Sequence, residues 1–337
     1  MATHGKMKVV PNNCVTTIKI PRKVESVYGV DYNPVLGLYA TFNYDDGVSV
    51  WDPVSGKVLA EFEELGENFR DTLFVPGDRL AVSSSEGNHG GSIQIFTLGK
   101  DQSDSDEFEI EDLPMTYPGA LALSPGRNLL VTDAFNSGEG VHEIFMDWHN
   151  LKVLKCREFD IGDEDADGGI SLLCCSLDFN VTTYVYTPQI LSSAKVCFNS
   201  EGEVQIQEQV TITYYMLDGE EKQIDEESIT GLAHDGQNLI IAVGDEIVLL
   251  ESITEGSNGH LIASDIEPSG QIRLNHEGQL MVCDTNCIKL FEYNCNPRPL
   301  QDLCRCNVRK TIHTVGYVDK VNSLAIPSML KNYLLYK

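Results

Sequence analysis

The chain has 337 residues, of which 42% are hydrophobic and 22% are charged, and its formal net charge is −27. This composition excludes an intrinsically disordered chain, and no stretch reaches the roughly 20 consecutive apolar residues that a membrane-spanning helix needs. Strong acidity disfavours nucleic acid and anionic lipid as partners. We therefore expect a protein of the cytoplasm or the nucleus that binds neither nucleic acid nor a membrane.

The charge is unevenly distributed along the chain. Residues 297–337 carry seven Lys or Arg against two Asp, a net of +5, which leaves −32 on residues 1–296. A domain with this charge attracts basic partners, so we expect residues 1–296 to bind a Lys- or Arg-rich protein. The alternative is that the acidity serves solubility alone.

Residues 1–296 repeat one layout of strands. A strand precedes a tight turn, a second apolar strand follows, and an alternating strand then ends in an apolar or aromatic residue. This closing residue recurs at Trp51, Phe96, Phe145, Leu250 and Phe291, at intervals of 45, 49, 105 and 41 residues. The interval of 105 accommodates two units, with a degenerate fourth unit around residues 196–198.

Six units of four short strands predict an all-β, six-bladed β-propeller. The repeats look like NHL-type or WD-like repeats, although they lack the Gly-His dipeptide of WD repeats. The last unit offers three strands, and an unpaired edge in a ring promotes aggregation. We therefore expect an N-terminal strand at residues 14–20 to complete the last blade. A pair of β-sandwiches is the alternative fold.

One acidic segment resembles a metal-binding loop. Residues 163–170 place carboxylates at alternate positions and a glycine sixth, as in the opening of a calcium loop. The twelfth position, where a bidentate Glu should complete the coordination, is Cys174. An acidic loop between blades is therefore favoured over a calcium site.

No pattern of catalytic residues stands out elsewhere. The eight His are scattered without HExxH, the sequence has no GxSxG, and the ten Cys lack a CxxC pair that would indicate zinc. We therefore predict no catalytic residue, no bound metal and no cofactor. Because some six-bladed propellers are hydrolases with a central metal, a metal-dependent hydrolase stays as a less favoured alternative.

The segment that follows the propeller begins with a predicted helix. Pro299 lies near its first position, where the missing N–H costs little. Leu300, Cys304 and Val308 follow at i, i+4 and i+8, with Leu303 beside them, and form an apolar stripe. Few nearby residues could cover this stripe, so we expect it to bind a partner. The alternative is a helical hairpin that caps the domain.

This segment resembles a SOCS box, the C-terminal module of substrate receptors in elongin–cullin ubiquitin ligases. The elongin-binding half of that motif has a small residue or Pro, then Leu, three residues, Cys, three residues and an aliphatic residue. Pro299, Leu300, Cys304 and Val308 match every position. The resemblance implies that elongin C, in complex with elongin B, binds four residues of this helix: Leu300, Leu303, Cys304 and Val308.

The second half of the motif binds the cullin, and it usually reads Leu-Pro-aliphatic-Pro, followed by an aliphatic, an aromatic and another aliphatic residue. The matching residues, which the resemblance assigns to cullin binding, are Leu324, Ile326, Pro327, Leu330, Tyr333 and Leu334. Ala325 replaces the first Pro of the motif. Leu324 and Tyr333 favour cullin-5, while the pattern from Ile326 to Leu334 also fits a cullin-2 box.

These patterns together predict a β-propeller over residues 1–296 and a small α-helical SOCS box over residues 297–337. The implied function is that of the substrate-recognition subunit of an elongin B/C–cullin–RING ubiquitin ligase. The propeller would bind the target and the SOCS box would dock the ligase, with no catalysis by this chain. A non-catalytic scaffold propeller is the second alternative.

Overall fold

A computed structural model gives the fold of the chain. It describes residues 11–21, 27–33, 36–43, 47–62, 69–85, 91–98, 107–110, 118–123, 129–133, 141–159, 170–175, 181–186, 190–198, 204–224, 229–234, 238–268, 270–275, 278–284, 287–293 and 331. Within these ranges, no helix has the length and apolar character that crossing a membrane would require.

The described strands form six sheets, which we number by their order along the chain. The first strand, β1 (Cys14–Lys19), joins the last sheet. Sheet 1 consists of β2 (Gly29–Asn33), β3 (Leu38–Asn43), β4 (Gly47–Asp52) and β5 (Lys57–Phe62). Sheet 2 consists of β6 (Phe69–Val75), β7 (Arg79–Ser85), β8 (Gly91–Thr97) and β9 (Glu107–Glu109).

The next two sheets have the same four-stranded antiparallel order. Sheet 3 consists of β10 (Pro118–Leu123), β11 (Leu129–Asp133), β12 (Val141–Asp147) and β13 (Lys152–Phe159). Sheet 4 consists of β14 (Ile170–Cys175), β15 (Val181–Tyr186), β16 (Ile190–Phe198) and β17 (Val204–Ile212). The unit that the sequence marks as degenerate, around residues 196–198, therefore lies at the end of a regular strand.

Sheet 5 is larger than the others because a hairpin extends it. The hairpin consists of β18 (Tyr214–Leu217) and β19 (Glu220–Gln223). The remaining strands are β20 (Ile229–His234), β21 (Leu239–Val243), β22 (Glu246–Leu250) and β23 (Asn258–Ala263). β18 pairs with β23 in parallel, and the hairpin turns at Asp218 and Gly219 with φ of 52° and 85°. Asp-Gly is a preferred pair for such a turn, since both central residues need a positive φ.

The chain closes the ring with its first strand. Sheet 6 has the order β1-β26-β25-β24, where the new strands are β24 (Arg273–Leu274), β25 (Leu280–Asp284) and β26 (Cys287–Phe291). Asn12 donates its backbone N–H to Ile262 of sheet 5 (2.7 Å), and the Asn13 side chain donates to the Glu292 carbonyl (3.0 Å). The start of β1 is therefore bonded to both sheets 5 and 6.

The six sheets follow one another around a ring. Their first strands contact each other in the order β2, β6, β10, β14, β20 and β24, and β25 contacts β2. Separate apolar clusters fill the spaces between sheets 1 and 2, 2 and 3, 4 and 5, 5 and 6, and 6 and 1. Radial sheets around a common axis are a β-propeller. The predicted all-β propeller is confirmed.

Four of the five closing residues identified in the repeats lie in this core. Trp51 and Leu250 are fully buried, Phe96 and Phe291 nearly so, and Phe145 is half-buried. Trp51 also donates its indole N–H to Thr41 Oγ1 at 3.1 Å and stacks on Tyr39. The period of the sequence therefore reflects the positions where each sheet packs on its neighbour.

Candidate functional site

Charged residues lie on the strands that line the centre of the propeller. Asp31 is on β2, Asp71 on β6 and Arg273 on β24, so three different sheets supply them. The Asp71 side chain is 2% exposed and that of Arg273 is 12% exposed. Burial of a charge is costly unless it is paired, and these charges face one another across the ring.

Asp71 uses both of its carboxylate oxygens. Arg273 Nη2 donates to Oδ1 at 2.8 Å and to Oδ2 at 2.7 Å. The backbone N–H of Thr72 donates to Oδ1 (2.7 Å), and that of Leu121 donates to Oδ2 (2.8 Å). Four hydrogen bonds match the lone-pair capacity of a carboxylate. Asp71 therefore joins sheet 2 to sheet 3 through Leu121 and to sheet 6 through Arg273.

Asp31 plays a similar part between sheets 1 and 2. Its Oδ2 accepts the backbone N–H of Phe74 at 2.6 Å. Burial raises the pKa of the Asp31 carboxyl above its ordinary value, and the nearby positive charge of Arg273 acts against this. Burial raises the pKa of Asp71 as well, again opposed by Arg273. One guanidinium therefore offsets part of the cost of burying two carboxylates, while burial keeps both pKa values raised.

This arrangement is suited to holding sheets together. In the described part of the chain, no group of three His, Cys, Asp or Glu side chains is placed to hold a metal ion. The oxygens of Asp71 are already engaged by Arg273 and the backbone. Sequence reasoning did not single out these three residues. The available signal is an isolated charge within an apolar first strand, as in Val30-Asp31-Tyr32 and Ile272-Arg273-Leu274.

The two residues after β26 are anchored in the propeller. Tyr293 is 2% exposed and packs in the apolar cluster between sheets 5 and 6. Glu292 donates its backbone N–H to the Asn13 carbonyl at 3.2 Å. The described chain up to Tyr293 is therefore held next to the start of β1.

The ten residues predicted to bind elongin or cullin lie outside the described residues. They are Leu300, Leu303, Cys304, Val308, Leu324, Ile326, Pro327, Leu330, Tyr333 and Leu334. Lys331, in the second half of the motif, is helical and half-buried. Residues 163–169 of the acidic segment also lie outside the described residues, and Ile170 begins β14.

Comparison with known families decides the nature of this segment. Residues 296–335 match the family model described as SOCS box. The chain carries a SOCS box. The match includes Pro299, Leu300 and Cys304, as well as the later residues from Leu324 to Leu334. A SOCS box associates a protein with elongin–cullin ubiquitin ligases, so its presence behind a β-propeller gives this chain the two-part organisation of a ligase adaptor.

The propeller is less similar to known proteins than the SOCS box is. No curated protein is similar enough in sequence to match this SOCS-box protein. Its structure is similar to that of the β-propeller domain of Cps50 (Swd1) from Myceliophteria thermophila. The similarity has a TM-score of 0.49 and 13% sequence identity, and it covers 83% of this chain and 99% of that one. The assignment of a propeller accordingly rests on the sheets themselves.

Proposed function

We propose that this chain is the substrate-recognition subunit of an elongin B/C–cullin–RING ubiquitin ligase. The observation that supports it is the SOCS box match at residues 296–335, directly after a closed propeller. In this proposal each of the six sheets is one blade, residues 1–296 form the propeller, and residues 297–337 form the helical SOCS box. The chain supplies proximity between a target and the ubiquitin-loaded enzyme and performs no covalent chemistry itself.

Elongin C, in complex with elongin B, binds the first helix of the SOCS box. Leu300 and Cys304 insert into the partner, with Leu303 and Val308 beside them, since buried apolar anchors dominate helix-in-groove interfaces. Leu300→Ala alone should weaken binding by roughly 2–4 kcal/mol, as for other large-to-small changes at packed sites.

The test is co-purification of elongin B/C with the full chain. Leu300→Ala combined with Cys304→Ala should abolish it, while Gln301→Ala, which lies off the apolar stripe of the same helix, should leave it intact. The urea midpoint of the propeller serves as a folding control for each variant. Undiminished co-purification with the double variant would overturn the proposal and leave the scaffold propeller as the better reading.

The cullin binds the second half of the box. Leu330, Tyr333 and Leu334 share one face of the predicted helix, and with Ile326 they form the contact surface. We favour cullin-5 because Leu324 and Tyr333 fit its motif. Titration of the reconstituted elongin complex with each cullin tests this choice, and Ala325→Pro should tighten binding to cullin-5. Tighter binding to cullin-2 than to cullin-5, both with and without Ala325→Pro, would show that cullin-2 is the partner instead.

The target is a protein with a Lys- or Arg-rich segment, bound by the propeller in the cytoplasm or the nucleus. The negative charge of residues 1–296 supports this proposal. Three exposed acidic residues lie near one another at one end of sheet 5: Asp245, Asp265 and Glu267. The backbone N–H of Ile266 donates to the Asp245 carbonyl and so brings these two segments together. Strand directions place this end of sheet 5 opposite the point where the chain leaves β26.

Affinity capture with two bait proteins, the unmodified chain and a variant that does not bind elongin, identifies the target and tests the receptor role. A target should bind both the unmodified chain and the Leu300→Ala, Cys304→Ala variant, and should be ubiquitinated only with the former. Its association with the propeller should slow between low salt and 0.15 M, where screening shortens to about 8 Å. Salt-independent association through a neutral or acidic segment would show that the acidity serves solubility.

A further inference from the structure

One outer strand of the propeller differs from the others in charge. β13 carries three basic residues, Lys152, Lys155 and Arg157, against one acidic residue, Glu158. Among the other outer strands, β5 has one basic and one acidic residue, β9 two acidic, β17 one acidic, β19 two acidic and one basic, and β1 one basic. β13 is therefore the most positive of the described outer strands, in a chain whose net charge is −27.

The backbone of β13 is available for further pairing. β13 is the last strand in the order of sheet 3 and pairs with β12 on its inner side. In the described part of the chain, no strand pairs with its outer side. The pairing with β12 shifts register at Leu154, so the regular part of the edge runs from Lys155 to Phe159. This part presents a row of backbone N–H and C=O groups that another extended segment can use.

Two of the three basic side chains of β13 lie against an aromatic ring. Lys155 Nζ lies 5.8 Å from the centroid of the Phe145 ring, and Arg157 Cζ lies 5.0 Å from it. Both cations therefore lie beside one half-buried ring on one face of the sheet. Side chains that are ordered in advance lose less entropy when a ligand binds. Leu154, the bulge residue directly before Lys155, is 64% exposed and offers an apolar contact.

We propose that this edge, the outer side of β13, binds an acidic peptide segment of a partner protein as an added strand of sheet 3. Lys155 and Arg157 are two residues apart, so their side chains are about 7 Å apart on the same face. Carboxylates at alternate positions of the added strand then face them as cross-strand pairs. The other outer strands, which are neutral, acidic or singly charged, lack this complement.

Charges on an outer strand have a second known role, and the test must distinguish that role from peptide binding. Lys on an outer strand discourages pairing between copies of a protein. Protection requires only dispersed charge, whereas peptide binding requires the charge pattern and the backbone edge together. The proposal does not depend on the ligase function, because its test uses the full chain without elongin or cullin.

The probe is a fluorescein-labelled peptide of about eight residues in which Glu alternates with Val. Fluorescence anisotropy should show binding to the full chain, and Lys152→Gln with Lys155→Gln should weaken it about tenfold, as expected for two exposed charge pairs. Lys57→Gln, at the equivalent first position of the outer strand β5, is the matched control and should have no effect. Replacing Glu by Gln in the peptide should weaken binding as the protein variant does.

Two further measurements test the mode of binding. N-methylation of alternate peptide amides should abolish binding, and hydrogen exchange should slow at the amides of β13. Affinity that survives both N-methylation and the Lys variants would overturn the proposal. Full competition by a single-stranded oligonucleotide of equal charge would also overturn it, since the edge would then be a general polyanion site. Self-association of the Lys variants with no peptide binding by the unmodified chain would assign the charges to edge protection.

Discussion

We expect the propeller and the SOCS box to bury their apolar side chains in different ways. In the propeller, each sheet packs on its neighbours, and residues such as Trp51 and Leu250 have no exposed surface. The apolar stripe of the SOCS box is short, and we expect a partner to cover it. The two regions also differ in charge, with −32 on residues 1–296 and +5 on residues 297–337.

The difference teaches how each region is recognised. A propeller needs only alternating apolar residues and turns at a regular period, so many sequences satisfy it. A helix that fits an existing groove on a partner needs particular side chains at fixed spacing. The match of residues 296–335 to a family model agrees with this difference.

Removal of β1 should have the largest effect on the free energy of unfolding of the propeller. Deletion of residues 1–20 removes the β1–β26 pairing and the bonds from Asn12 and Asn13, so we expect a loss on the order of 5 kcal/mol of unfolding free energy. Deletion of residues 297–337 should change it by less than about 1 kcal/mol. Urea unfolding followed by the fluorescence of buried Trp51 compares the two. A larger loss from the second deletion would mean that the propeller depends on its SOCS box.

Arg273→Met should have the next largest effect. It leaves Asp71 buried without its ion-pair partner, which costs about 3–5 kcal/mol. Adding Asp71→Asn should restore part of the loss, because the uncompensated charge is removed. Lys289→Met is the matched control: Lys289 is paired with Asp284 at a more exposed position, so its loss should cost less than about 1 kcal/mol. Equal losses from both substitutions would contradict a special role for the central charge cluster.

Asp31→Asn should have the smallest effect, and the effect should depend on pH. Because burial raises the pKa of Asp31 above 3.8 in the folded protein, the folded state binds more protons than the unfolded state between 3.8 and the raised value. The contribution of Asp31 to stability therefore falls as pH rises through that window.

The Asn variant lacks this contribution, so its stability relative to the unmodified chain should rise with pH across the window. Unfolding curves at a series of pH values measure the difference in unfolding free energy between the two proteins. The other acidic residues are the same in both, so their contributions cancel. A difference that is constant with pH, or falls, would contradict the raised pKa.

The sequence predicted the repeating part of this fold well. Closing residues such as Trp51 and Phe291 mark the period, because each packs where two sheets meet. The strand expected at residues 14–20 appears as Cys14–Lys19, paired with β26. An unfilled place in a ring is a strong constraint, and the chain had one spare strand to fill it.

Other features were beyond the sequence argument. The Asp71–Arg273 pair joins residues 202 positions apart, and no local pattern encodes such a contact. The β18–β19 hairpin was missed although its Asp218-Gly219 turn is a good local signal, because the repeat left no place for two extra strands. The charge pattern of β13 acquires meaning only once β13 is known to be an outer strand with an unpaired side.

The closure of the ring by β1 affects how the protein is made. Asn13 and Glu292 bond to each other although they are 279 positions apart. At about 5–20 residues per second, the ribosome needs roughly 15–60 s to synthesise the intervening chain. During this time β1 has no partner strand. Sheets 1 to 5 form an open arc, and the apolar faces of its two end sheets stay exposed. Exposed apolar surface of this kind promotes aggregation until the ring closes, and the SOCS box is synthesised only after the strands that close it.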